Sequence, residues 1–185
     1  MIRGCVLCAL LVRLGSLALF AWAAPAAAEP VHDVRIGYLA QEKPLPPGLS
    51  VLEPPPEDAG LQGARLAIAD NNTTGRFTGH AFTLVEAVLP ENADVTPAFA
   101  ALGTAFVVSA LDGEGLDRLL SVAGREALIF NAGAPDDRFR GRDCRRTLLH
   151  TLPSRAMLAD ALGQYLVRKT WTRWSLVTGP GAGDA

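Results

Sequence analysis

Cysteine is scarce in this chain, and two of its three copies, Cys5 and Cys8, lie within the first ten residues. The rest of the chain has no disulfide framework, because Cys144 stands there alone. A nucleophilic thiol needs a base and an orienting group, and the residues around Cys144 specify neither. It reads as a buried or unpaired thiol. Basic runs are also missing. With 17 basic and 19 acidic side chains, net −2, the chain has no row of cations to displace counterions along a phosphate backbone. Nucleic acid is therefore not an expected partner. No G-x-G-x-x-G follows the first apolar run, where Gly37-Tyr38-Leu39-Ala40 holds one glycine. Gly179-Pro180-Gly181-Ala182-Gly183 lacks a following helix to hold a pyrophosphate. There is no P-loop lysine motif and no G-x-S-x-G nucleophile elbow. His32, His80 and His150 share no ligand spacing with one another or with Cys144, so no metal is expected. Asp136-Asp137 could form a carboxylate pair. Beside Arg138, Arg140, Arg142, Arg145 and Arg146 it reads as a solvated charged loop. With no catalytic constellation and no cofactor motif, the expectation is a binding protein and not an enzyme.

What is present is a secretory leader and apolar material for one domain. Arg3 and Arg13 precede an uninterrupted apolar and small run, Leu14 to Trp22. Ala24-Pro25-Ala26 and Ala26-Ala27-Ala28 then offer small-x-small cleavage sites. Arg13 leaves too short a clean run for a membrane span, which needs roughly 20 residues. Residues 1–28 are read as a signal peptide cleaved near Ala26–Ala28, and the chain as periplasmic. The remaining 157 of 185 residues suit a single domain. With 49% hydrophobic and 19% charged residues, disorder is excluded.

Beyond the leader, apolar runs alternate with helical periodicity. Val34 to Leu39 reads as a first strand. The prolines at 44, 46, 47, 54, 55 and 56 then make a stiff loop. Asp58 to Asn72 reads as a helix with a small-residue face, Gly60, Gly63, Ala64 and Ala67, ended by Asn71-Asn72-Thr73-Thr74-Gly75. The two N-x-Thr sequons there read as helix-end chemistry. Ala81 to Val88 and Ala105 to Ser109 are the next strands, with a short helix from Thr96 to Leu102 between them. Leu116, Leu119, Leu120 and Ala123 mark a third helix, and Ala127 to Phe130 a fourth strand. Thr147 to Leu152 is a fifth. Ser154 caps a long helix to Lys169, whose expected buried face is Leu158, Ala161, Leu162, Tyr165 and Leu166. Trp174 to Thr178 opens a sixth strand with no helix after it. The alternation predicts an α/β fold, a parallel sheet with helices on both faces. Ligands in such sheets bind beyond the carboxyl ends of the strands, which singles out 38–43, 109–113 and 131–136.

Three segments carry a family resemblance. The first is Ile36 to Leu39 followed by Gly60 to Asn72. The second is Val107-Val108-Ser109 with Ala127 to Ala134. The third and most specific runs from His150 to Leu162 and ends in Trp174 to Pro180. Together they resemble the first lobe of a type I periplasmic binding protein, the leucine/isoleucine/valine-binding class of ABC transporter receptors. Within that class the chain is most similar to the substrate-binding proteins associated with PQQ-dependent alcohol dehydrogenase systems.

The resemblance implies that residues 29–173 form lobe one and that 174–185 begin a truncated lobe two. The chain would then be an N-terminal fragment of a two-lobed protein. It also implies transport work: capture of a small organic solute, linked to alcohol oxidation, and delivery to an inner-membrane ABC permease. Ser109 matches the position that holds a ligand through its hydroxyl. Ala132, Gly133 and Ala134 occupy the second ligand turn. No hydroxyl residue follows Phe130 there, so backbone N–H groups beside Gly133 are the expected donors. Tyr38 completes the candidate set. The rival readings are an exported ligand-sensing module of a receptor and an enzyme on the same scaffold.

Overall fold

A computed structural model describes residues 32–42, 58–177 and 179 of the chain. The expected leader and the six-proline loop lie outside the described residues. The described elements run β1 His32–Gln41, α1 Ala59–Thr78, β2 His80–Leu89, α2 Val95–Leu102, β3 Phe106–Ala110, α3 Gly113–Val122 and β4 Leu128–Asn131. A 3-10 turn at Asp137–Arg140, β5 Leu148–His150 and α4 Arg155–Arg168 follow. The strands form one five-stranded parallel sheet in the order β2-β1-β3-β4-β5, flanked by helices. The α/β expectation is met.

Alternation along the strands sends neighbouring residues to opposite faces. One face of the sheet carries Leu39, Val107, Ile129 and Leu148. They pack with Val95 and Leu102 of α2, with Leu116, Leu119 and Leu120 of α3, and with Phe139 of the 3-10 turn. Each large aliphatic side chain fully buried there contributes about 1.5–3 kcal/mol. The other face carries Tyr38 and Ala40, covered by Leu61 of α1. Helices α2 and α3 therefore lie on one side and α1 on the other.

Capping explains where three of the four described helices begin. Asp94 accepts from Thr96 N at 2.9 Å, Asp112 from Gly115 N at 2.8 Å, and Ser154 from Met157 N at 3.3 Å. The last of these matches the cap expected from the sequence.

Four expectations need correction. Helix α1 does not stop at Asn71–Gly75. It continues to Thr78 and closes on Gly79, which adopts the left-handed conformation at φ 70°. Asn72 does not cap the helix. Its amide instead pairs with both the N–H and the carbonyl of Phe82 on β2, each at 2.8 Å. The expected small-residue face is also rotated. Leu61, Ala64 and Ile68 turn inward, while Gly63 and Ala67 are exposed. The apolar face of α4 is exposed, not buried: Leu158 is 55% accessible and Leu162 58%. No described element covers it, and the sheet's α1 side stays partly open at Phe106 and Leu149. Finally, residues 174–177 carry no strand and Thr178 lies outside the described residues. Trp174, Leu176 and Val177 are exposed.

Candidate functional site

The three segments singled out from the sequence come together at the carboxyl ends of adjacent strands β1, β3 and β4. The register aligns Leu39 with Ser109, Ser109 with Asn131, and Asn131 with His150. These four side chains therefore form one row across the sheet, on the face that carries α2 and α3. The chain leaves β1 toward one face and β3 toward the other. That divergence is the switch point at which open parallel sheets accommodate ligands.

The five candidate residues sit there differently from expectation. Tyr38 is only 5% exposed and packs with Ala40 and Leu61 under α1, so it belongs to the core and not to a ligand edge. Its hydroxyl lies where a side chain on Gly60 would collide, so Gly60 is the residue that gives the ring room. Burial pushes the Tyr38 phenol above its ordinary value.

Ser109 is completely buried, and its hydroxyl has no hydrogen-bond partner. It points to the covered face of the sheet. Its carbonyl accepts from Ala132 N at 2.8 Å, extending the ladder one step past β4.

The backbone donors expected in the next turn are already engaged. Asn131 Oδ1 accepts from Gly133 N at 3.2 Å and from Ala134 N at 2.9 Å. Asn131 Nδ2 donates to Ala134 O at 2.7 Å and faces His150 Nδ1 at 3.1 Å. Ala134 is buried, Gly133 part-buried, and Ala132 exposed. Gly133 is present for a different approach from the one expected. A side chain there would overlap the Leu111 carbonyl oxygen and reach 2.6 Å from the Ala110 carbonyl carbon. The turn after β4 thus lies directly on the backbone leaving β3.

Asn131 is the residue of this candidate edge that the sequence did not single out as a candidate site residue. An Asn ending a buried strand, two residues before Gly, is a signal for a side chain that bonds its own following backbone.

No family model, curated protein or solved structure matches the chain.

Two carboxylates stand at this edge. Asp112 heads α3, and the Asp136 carboxylate stands within 3.1 Å of the position a side chain on Gly113 would take. Gln41 ends β1 and donates to Ala93 O at 2.9 Å. Three arginines of the loop are engaged with neighbouring groups. Arg138 pairs with Asp117 at 2.6 Å and donates to Gly113 O at 3.1 Å. Arg145 donates to Leu120 O at 2.6 Å, and Arg140 to Leu152 O. The Asp136-Asp137 segment is therefore more than a solvated loop. Phe139 anchors it in the core, and Asp137 accepts from Ala156 N at the head of α4. A hydrogen bond from Ser154 is the main cause holding the Asp137 carboxyl below its ordinary value. Cys144 is exposed and free.

Proposed function

We propose that this chain is the receptor lobe of an exported solute-capture system. It binds a small neutral or hydroxylated organic molecule at the carboxyl edge of its sheet, for delivery to a membrane permease. The observation that carries the reading is the switch point between β1 and β3, with α1 on one face and α2 and α3 on the other. The sequence resemblance to type I periplasmic receptors supports the same edge. The capped turns and the carboxylates of Asp112 and Asp136 favour a hydroxyl-bearing solute over a carboxylate, because like charges across an interface are costly. This agrees with a link to alcohol oxidation.

Ala132 is exposed at the edge, so a large residue there would fill the site without disturbing the core. Calorimetric titration with alcohols, polyols, aldehydes, short carboxylates and amino acids tests the reading. The expected result is binding of a hydroxylated compound that Ala132→Trp abolishes while the unfolding transition stays in place. A bound compound that is unaffected by Ala132→Trp would move the site away from this edge.

A further inference from the structure

The Asn131 side chain has one allowed orientation. Three backbone partners define it: two N–H groups on Oδ1 and one carbonyl on Nδ2. Flipping the amide would set donor against donor twice and acceptor against acceptor once. Nδ2 is therefore a donor toward His150. It follows that His150 Nδ1, 3.1 Å away, presents a lone pair. The imidazole is then neutral, with its proton on Nε2.

We propose that His150 is a pH-sensitive latch for the turn after β4, fastening residues 131–134 while neutral and releasing them when protonated. A proton on Nδ1 would put N–H against N–H. Either the ring swings away or the Asn131 amide lets go, and the amide is what holds Gly133 and Ala134. The charged surroundings oppose protonation. Burial is the largest cause lowering the His150 pKa, the Arg140 guanidinium adds to it, and a hydrogen bond to the Phe139 backbone works against both. Arg140 belongs to the 3-10 turn. Asp137 of that turn lies in the field of Arg140 and of Arg155 at the head of α4. From β4 the ring faces the uncharged amide of Asn131.

The sign is fixed by linkage. The folded state resists the proton more than the unfolded state does. The latch is fully closed above the ordinary histidine range and weakens as pH falls from there to the lowered pKa of the folded state. Its functional meaning, a solute edge that loosens on acidification, rests on the proposed solute site. The latch itself does not.

The test is amide hydrogen exchange of the full chain, without solute, expressed as protection relative to an unstructured chain. As pH falls from the ordinary histidine range toward the depressed pKa of His150 in the closed turn, protection at Gly133 and Ala134 should fall by up to about tenfold per pH unit, then level off. Leu128 and Ile129, in the β4 ladder, should hold steady and so report that the fold is intact. His150→Asn puts a non-titrating acceptor near the Nδ1 position. It should keep protection at neutral pH and abolish the step. The proposal fails if Gly133 and Ala134 track the β4 amides at every pH, or if His150→Asn retains the step. Nitrogen NMR of the wild-type ring decides independently of any variant, since a protonated Nδ1 at neutral pH would overturn the latch. Failure here leaves the Ala132→Trp titration untouched, so the two readings separate.

Discussion

Asn131 directs all four of its side-chain hydrogen bonds into its own turn and the neighbouring strand. Ser109, one strand away in the same row, makes none with its hydroxyl. A buried, unpaired hydroxyl carries a desolvation penalty of about 1–3 kcal/mol. Ser109→Ala should therefore be neutral or stabilising by up to about 1 kcal/mol in urea denaturation. A loss of several kcal/mol would mean that the hydroxyl has a partner. Gly133→Ala should act the opposite way, because the added carbon meets the backbone leaving β3. Backbone cannot yield as a flexible side chain can, so a loss of about 1–3 kcal/mol is expected, read as a lower urea midpoint at unchanged slope. Both residues were visible in the sequence as polar or small groups at strand ends. What each side chain meets was not, because that depends on the register between β3 and β4.

The helices show the same division. The cap at Ser154 is local chemistry, and the sequence displayed it directly, whereas those at Asp94 and Asp112 came from the structure. The end of α1 is different. Asn71-Asn72-Thr73-Thr74-Gly75 has the composition of a helix end, yet Asn72 bonds to Phe82 ten residues on, and Gly79 supplies the turn. A tertiary contact overrode propensity there. In α4, periodicity correctly marked which side is apolar but could not say what lies against it. A helix with no fully buried residue is held largely by its caps and backbone. It should open at far lower free energy than the sheet. Limited trypsin digestion should cut at Arg168 and Lys169 well before any site in β1 to β4. Simultaneous loss of both regions would show that α4 is tied into the cooperative core.

At the scale of the whole molecule, strands alternating with helices already implied a parallel sheet, and composition implied a buried core. Strand order was not legible. It depends on β1 sitting between β2 and β3, and no local pattern encodes which strand joins which. The candidate edge was legible as three turn segments for the same reason the sheet was, since parallel strands all end on one side. Its detailed chemistry came from side chains crossing between strands.

The order of the strands also sets a clock. Leu39 pairs with Ser109, seventy positions further along the chain. At about 5–20 residues per second, β1 leaves the ribosome several seconds before β3 exists to flank it. Closing so long a loop costs entropy before any contact offsets it, so assembly of the sheet is governed by waiting for β3. Until then β1 has only α1 and β2 to pack and pair with, and the edge that β3 will take stays open.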